Sequence, residues 1–368
     1  MRVLLVGGIP KRIHHGPVDW AGHRFEAVRH AFDRIVIVEH TKARESVTLD
    51  REALADFVES TRDFDAVFCE TPEAMLLFQE WKRRGDSPKA LLALDVHGLE
   101  RVAAMRKWYL EHDGRDPWPE MTRAPWIAWI AASSSQAQIL FKAGVPRERI
   151  SRINAGTIAY STFVPNADVL LDGGPEVDGE AAFGLPADGI VVPGSGRRDP
   201  ECSLEAARAL PDLPFAVVDE QAAGHRRRLA GTGLLELPNV RWLRALALER
   251  YIALIKRARL VVVALQPGTG DGGHTTVALA HRLGAAVICS HVPGIADYVE
   301  DGYNARLVKA ADSDGLAEAI RDLWQDADER RRLAQNGRLT EVGRARECRQ
   351  GFLQTLESVA ANISERAE

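Results

Sequence analysis

The sequence predicts an α/β protein built from two doubly wound lobes. Short apolar runs alternate with amphipathic stretches along nearly the whole chain. Those runs are rich in Val, Ile and Leu and lack the strict two-residue alternation of half-buried strands, so each reads as a strand of a parallel sheet covered on both faces. The pattern also stops near residue 164 and restarts at residue 190. A chain of 368 residues exceeds the roughly 250–300 residues at which a single core stops growing, which agrees with two lobes.

In the first lobe, residues 1–164, the strand-like runs are Val3–Val6, Ile35–Val38, Ala66–Cys69, Leu91–Val96 and Ile127–Ala132. Helical patterns lie between them at Glu52–Ser60 and Pro72–Arg83. The second of these starts with Thr71 as a cap and Pro72 at the first helical position, where its missing N–H costs nothing. Residues 165–189, rich in Gly, Pro and Asp, read as a linker. The second lobe, residues 190–343, has runs at Ile190–Pro193, Phe215–Val218, Val240–Leu243, Leu260–Ala264 and Val287–Cys289. Helical patterns at Ser203–Leu210, Leu248–Arg259 and Thr275–Leu283 separate them. A last helical stretch, residues 344–368, is long enough to cross back to the first lobe. Strand–helix alternation on this scale makes doubly wound sheets, whose ligands sit outside the carboxyl ends of the strands, here in a cleft faced by both lobes.

Bulk properties exclude several classes. A net charge of -5 gives no basic face for nucleic acid. No stretch approaches the roughly 18 apolar residues of a membrane span. The start, Met1–Gly7, turns polar too soon for a signal peptide. Cys69, Cys202, Cys289 and Cys348 lie too far apart for a zinc site or a disulfide framework, so reduced thiols and a cytoplasmic location are expected.

The stretch richest in chemistry is Leu260-Val-Val-Val-Ala-Leu-Gln-Pro-Gly-Thr-Gly-Asp-Gly-Gly-His-Thr-Thr-Val-Ala-Leu-Ala-His-Arg-Leu-Gly284. A buried strand enters a glycine-dense loop, and Thr275 or Thr276 then opens a helix. Free amides at a helix start favour phosphate, so Gly272, Gly273, His274, Thr275 and Thr276 are candidate contacts for an anion. The competing explanation is a tight turn that needs glycine only for its geometry. A second stretch, Ile190-Val-Val-Pro-Gly-Ser-Gly-Arg-Arg-Asp-Pro200, also leaves a strand. A guanidinium can grip two phosphate oxygens at once, which makes Arg197 and Arg198, with Gly194 and Gly196 in the turn, candidate phosphate contacts; the competing explanation is a solvated turn. In the first lobe, Asp95-Val-His97-Gly98 ends a strand, and Val6-Gly7-Gly8 leads into a loop containing His14 and His15.

These stretches resemble the GT-B glycosyltransferases, in particular the retaining family four. Placing Gly284-Ala-Ala-Val287 on that family's G-x-P-V puts Asp271 and Leu279 at the two acids of its E-x7-E motif, so both positions depart from it. Val287–Gly302 and Asn304–Val308 match as well, and the resemblance is specific over Pro238–Gly337. It implies two Rossmann-like lobes and metal-independent transfer of a sugar, of hexosyltransferase type, from a nucleoside diphosphate sugar to a hydroxyl or amine with retention. His97, Asp271 and Arg198 would carry the chemistry. Gly194, Gly196, Arg197, Gly272, Gly273, His274, Thr275, Thr276 and Leu279 would hold the donor. Gly7, Gly8, His14 and His15 would lie on the acceptor side.

The same resemblance implies no cofactor and a small-molecule or lipid-linked acceptor. Leu279 should face the ligand, because it shares a helix face with Thr275. Leucine cannot accept the ribose hydrogen bonds of the family's Glu, a loss of roughly 1–3 kcal/mol if charged. A pseudo-glycosyltransferase, an epimerase on the same lobes, or a non-catalytic pair of lobes would tolerate that change.

Asp63-Phe-Asp65 and Asp312-Ser-Asp314 have the D-x-D form of metal-dependent transferases, but each also has a local explanation, the second as a helix cap. Trp108, Tyr109, Trp118, Trp126 and Trp129 crowd one region of the first lobe. Core packing, stacking on an acceptor and contact with a membrane surface are all open to them.

Overall fold

A computed structural model of the chain describes residues 2–6, 34–38, 58–59, 61, 66–85, 90–95, 103, 106–107, 109–111, 114–153, 188–194, 197–219, 222–243, 246, 248–269 and 272–367. The chain divides into two compact units. One comprises Met1–Ala21, Phe25–Ala155 and Glu347–Glu368, the other Gly22–Arg24 and Gly156–Arg346.

The first unit holds a six-stranded sheet of β1 (Arg2–Val6), β2 (Arg34–Val38), β3 (Ala66–Glu70), β4 (Ala90–Asp95), β5 (Ile127–Ala131) and β6 (Ile150–Arg152) in the order β2-β1-β3-β4-β5-β6. Every pairing is parallel. Helix α1 (Thr71–Arg84) turns Ala74, Met75, Leu77, Phe78 and Trp81 into a core shared with Val67, Ile127 and Trp129. Helix α2 (Trp118–Arg123) adds Trp118 and Met121 to the same core. Helix α3 (Ser134–Lys142) is fixed at its start by two side chains. The Ser133 hydroxyl accepts from the Gln136 N–H, and the Gln136 side-chain oxygen accepts from the Ala132 N–H. This reciprocal arrangement satisfies donors that the first helical turn leaves open.

The second unit holds β7 (Ile190–Gly194), β8 (Phe215–Asp219), β9 (Val240–Leu243), β10 (Leu260–Val263), β11 (Val287–His291) and β12 (Arg306–Lys309) in the order β12-β11-β10-β7-β8-β9. These pairings are parallel as well. The described helices are α4 (Pro200–Arg208), α5 (Ala222–Leu229), α6 (Leu248–Arg257), α7 (His274–Arg282), α8 (Ser313–Gln325) and α9 (Ala327–Ala367). Side chains of a strand alternate between faces, and that alternation divides the apolar runs in two. Val191, Val261, Val263 and Val287 join Ile252, Ile255, Val277 and Ala280 on one face. Ile190, Val192, Leu260, Val262 and Ile288 join Leu204, Ala207, Leu316 and Ile320 on the other.

Two strands fall outside the apolar runs read from the sequence. β6 and β12 are edge strands whose residues are half-buried or exposed, so neither needs a continuous apolar run. Helix α7 begins at His274, one residue before the expected Thr275. Of the expected helix Glu52–Ser60 only Val58 and Glu59 are described, and both are helical. Most of the linker expected over residues 165–189 lies outside the described residues, as does Asp63-Phe-Asp65. Asp312 caps α8, its carboxylate accepting from the Gly315 N–H at 2.9 Å. Among the described residues no helix is long and apolar enough to cross a membrane.

His281 ties α7 to its surroundings. Its ring is completely buried, and Nε2 lies 2.9 Å from the Asn304 carbonyl oxygen, so Nε2 donates. A Cβ at Gly337 of α9 would stand 2.6 Å from the His281 ring, so glycine is what lets the two helices approach here. Gly337→Ala should therefore lower stability, although alanine in an exposed helix interior normally gains about 1 kcal/mol over glycine. The double variant with His281→Ala should recover part of the loss in a denaturant titration.

Burial, reinforced by the Arg344 charge, pushes the His281 pKa down to about 4. The unfolded chain takes up this proton near pH 6.5 and the folded chain does not. Stability should be fully present above pH 6.5 and fall towards pH 4, by up to about 3 kcal/mol. Denaturant titrations of wild type and His281→Gln at pH 7 and pH 5 would show a smaller pH dependence in the variant.

Candidate functional site

The strand order locates the site. Read from its other edge, the second sheet runs β9-β8-β7-β10-β11-β12, which is the doubly wound order 3-2-1-4-5-6. β7 and β10 are neighbours, with Ile190 opposite Leu260 and Val191 opposite Val261. After β7 the chain enters α4, whose apolar residues lie on one face of the sheet. After β10 it enters α7, whose apolar residues lie on the other. The loops at the carboxyl ends of these two strands therefore diverge and leave a crevice, the topological switch point at which such sheets bind ligands.

Both glycine-bearing stretches singled out in the sequence line that crevice, and backbone bonds zip them together. Arg198 forms an antiparallel bridge with Leu265. The Gln266 N–H donates to the Arg197 carbonyl and the Asp199 N–H to the Ala264 carbonyl, both at 3.1 Å. On the far side, the Ser290 hydroxyl of β11 accepts from the Leu265 N–H at 3.0 Å. Asp199 caps α4 by accepting from the Cys202 N–H, and Pro200 occupies its first turn. Arg197 holds a left-handed conformation at φ 54°, a strained position for a residue with a Cβ.

Helix α7 starts from Gly273 at φ 81°, and no side chain caps it. A Cβ on Gly273 would lie 3.0 Å from Leu265 and 3.2 Å from Val263, so both the dihedral and the packing call for glycine. The first internal hydrogen bond runs from the Val277 N–H to the Gly273 carbonyl. The amides of residues 274–276 precede it and have no acceptor within the helix. Arg198 stands beside this helix start, only 8% exposed. Its Nη2 donates to the Thr276 hydroxyl at 2.9 Å and its Nε to the Pro193 carbonyl at 3.2 Å. One buried guanidinium is thus fixed against the amino terminus of α7, and the two share the positive potential that attracts phosphate.

Both buried cysteines among the described residues favour the protonated thiol. Burial pushes the Cys289 thiol up to about 12 against the opposing pull of Arg198. Burial, then the charges of Asp199 and Asp312, pushes Cys202 up to about 12 as well.

Of the residues expected from sequence, the structure gathers Arg198, Gly273, His274 and Thr276 around one point. Thr275 is half-buried in the same turn. Gly272 lies against Arg197, within 3.7 Å measured from an added Cβ. Gly194 ends β7. His97, Asp271, Gly196, Gly7, Gly8, His14 and His15 lie outside the described residues.

Leu279 requires a correction. It does not face a ligand: it is 1% exposed and packs in the apolar cluster with Val263, Leu265, Val277 and Tyr298. A helix face shared with Thr275 is no guarantee of exposure, because one turn further on the same face of α7 has passed under the sheet.

Two contributors escaped the sequence reading. Tyr298, completely buried, stacks on His274 with ring centroids 5.3 Å apart. The Arg344 guanidinium lies 5.4 Å from the Tyr298 ring, and its Nη1 donates to the Tyr298 carbonyl at 2.6 Å. The partners are 24 and 46 positions apart, counting from 274 to 298 and from 298 to 344, and no local spacing signals such a contact.

Comparison with known proteins agrees with this geometry. Residues 196–340 match the family described as glycosyl transferases group 1. Anabaena HepE, solved in complex with UDP-glucose, aligns with 97% of this chain and 100% of its own at a TM-score of 0.69 and 16% identity. Sucrose-phosphate synthase from Thermosynechococcus elongatus aligns with 98% of this chain and 99% of its own, at 0.65 and 18%. WaaG, a glycosyltransferase involved in lipopolysaccharide biosynthesis, aligns with 94% of this chain and 98% of its own, at 0.58 and 15%. The fold is GT-B. At these identities the likeness concerns the GT-B fold alone. No curated protein sequence matches the chain.

The position of Leu279 gives a direct test. Leu279→Glu would put a carboxylate among apolar side chains, and burying an unpaired charge costs several kcal/mol. The variant should melt at least about 5 °C below wild type in calorimetry. It should show no gain in affinity for a nucleoside diphosphate.

Proposed function

We propose that this chain is a glycosyltransferase whose second unit holds a nucleoside diphosphate sugar at the β7/β10 switch point. One observation carries the reading: the Arg198 guanidinium is bonded to Thr276 at an uncapped, glycine-led helix start. The match of residues 196–340 to group 1 glycosyl transferases supports it, as does the binding of UDP and of UDP-glucose by the structurally similar HepE.

In the proposed reaction, the bond between the anomeric carbon and the diphosphate oxygen breaks. A bond from that carbon to an acceptor hydroxyl or amine forms, and the acceptor's proton passes to the released diphosphate, which leaves with the bonding electron pair. The leaving diphosphate gains negative charge as it departs. Arg198 and the first amides of α7 are preorganised to stabilise that charge, the kind of electrostatic contribution that dominates many enzymes. With this cationic donor set the diphosphate needs no metal.

Asp271 is assigned to hydroxyls of the transferred sugar, and His97 to sugar contact. Gly7, Gly8, His14 and His15 are assigned to the acceptor side. Transfer with retention follows the family-four resemblance. With Leu279 buried, this position offers the ribose no hydrogen-bond acceptor, so affinity rests on the diphosphate end.

Titration calorimetry with a panel of nucleoside diphosphates, UDP first, tests the proposal. Wild type should bind at least one of them, and Arg198→Ala should weaken that binding by about tenfold or more. Thr276→Val, which removes only the hydroxyl that orients the guanidinium, should give a smaller loss. Wild-type affinity in Arg198→Ala, or no binding of any nucleoside diphosphate by wild type, would overturn the assignment.

A further inference from the structure

The aromatic cluster of the first unit is not consumed by its core. Trp118 and Trp129 are buried and stack edge to face at 5.3 Å, and the Trp118 indole N–H donates to the Ala143 carbonyl. Tyr109 is buried too. Trp126 differs: it is half-buried, stacked on Phe78 at 5.4 Å with the rings 17° from parallel, and tilted against Trp81. The rest of its surface lines a cavity of about 840 Å³ together with Phe78, Lys82, Asp116, Glu120 and Arg123. That volume falls within the roughly 300–1,000 Å³ typical of small-molecule sites.

The cavity lies away from the face a doubly wound sheet uses for its ligands. Helix α1 follows the carboxyl end of β3, so its last turn, which carries Trp81 and Lys82, returns to the amino-terminal edge of the sheet. Trp126 immediately precedes β5 and sits at that same edge. The strand lengths, about 3.3 Å per residue, separate this edge from the carboxyl ends.

Its chemistry points to one kind of ligand. The floor is aromatic, and the rim mixes donors with acceptors. Lys82 bonds both oxygens of Glu120 at 2.5 Å, and Arg115 stands 3.6 Å from Glu120. Arg106 bonds Asp116 at 2.7 Å. A free anion would meet the Glu120 carboxylate in the middle of these cations. A neutral polyol finds both partners it needs, carboxylate oxygens that accept from hydroxyls and guanidinium or ammonium groups that donate to them. An aromatic face carries negative quadrupole and suits the C–H face of a sugar ring. Among the described residues, Arg123 is exposed and makes no side-chain hydrogen bond, so its guanidinium is available to such a ligand.

We infer that this cavity is a saccharide-binding site, taking a neutral oligosaccharide that stacks on Trp126 between Arg123 and the Lys82–Glu120 pair. It stands independently of the donor site proposed above and goes beyond it, giving the first unit a hold on a glycan away from the strand ends.

Saturation-transfer NMR on the full chain with maltotriose, cellotriose, tri-N-acetylchitotriose and mannotriose, with trigalacturonate as the acidic control, tests the inference. At least one neutral trisaccharide should bind, and Trp126→Ala should weaken it by about tenfold or more. Trp126 also packs on Phe78, so Arg123→Ala provides a second variant that leaves the core intact. It should weaken the same trisaccharide several-fold with an unchanged melting temperature. Raising the salt from about 0.05 to 0.5 M should leave the neutral ligand's affinity within about twofold, since no net charge is being neutralised.

Failure of every neutral trisaccharide to bind would overturn the inference. So would preference for trigalacturonate, or binding that survives both substitutions. A UDP titration on the same samples separates the two sites: both variants should bind UDP as wild type does, whatever the saccharide result.

Discussion

The second unit is organised by one topological fact: β7 lies beside β10, and the helices that follow them depart to opposite faces of the sheet. A crevice at the carboxyl ends of those two strands follows necessarily, because no helix covers the gap between diverging loops. What the chain does with the crevice is specific to it. The Arg197–Asp199 segment is bridged to Ala264–Gln266 by backbone hydrogen bonds, so the loops form a single rigid rim. A guanidinium on that rim, bonded to Thr276 and Pro193, keeps its geometry without a ligand. Preorganisation of this kind matters because dipoles and charges already in place need not reorganise as charge develops.

The glycine-dense loop joins tight geometry to an uncapped helix start. Gly273 adopts a positive φ with Leu265 and Val263 pressed against the place a Cβ would occupy. A tight turn alone would account for it. The same dihedral, however, starts α7 without a side-chain cap, at a helix start where Arg198 bonds the Thr276 hydroxyl. Turn geometry and an uncapped helix start are therefore one device, which is why the sequence could not separate the two readings. The left-handed Arg197 shows strain in the partner segment, in the surroundings where strain tends to be retained for function.

Legibility from the sequence followed burial. Strands covered on both faces, such as Leu260–Val263 and Val287–His291, announce themselves as apolar runs. The edge strands Ile150–Arg152 and Arg306–Lys309 do not, since partial exposure admits Arg, Ser and Lys. Asp312 was readable because a cap acts through its own few neighbours. Tyr298 and Arg344 were not, because their contacts with His274 and with each other join segments distant in the chain. Trp126 illustrates an intermediate case: an aromatic cluster was visible, but which ring stays half-exposed depends on α1 and α2 packing across Phe78 and Trp81.

Leu279 shows where positional matching and physical environment part. Matching the chain to a family motif places this residue at a ligand-facing acid, yet its surroundings are apolar and closed. A carboxylate there would have to find hydrogen-bond donors among Val263, Leu265 and Val277, which offer none from their side chains. Leucine instead continues the apolar face that seats α7 on the sheet. Seating α7 firmly fixes the direction of its amino terminus, and with it the amides beside Arg198. Leucine at this position thus holds the helix whose amino terminus stands beside Arg198.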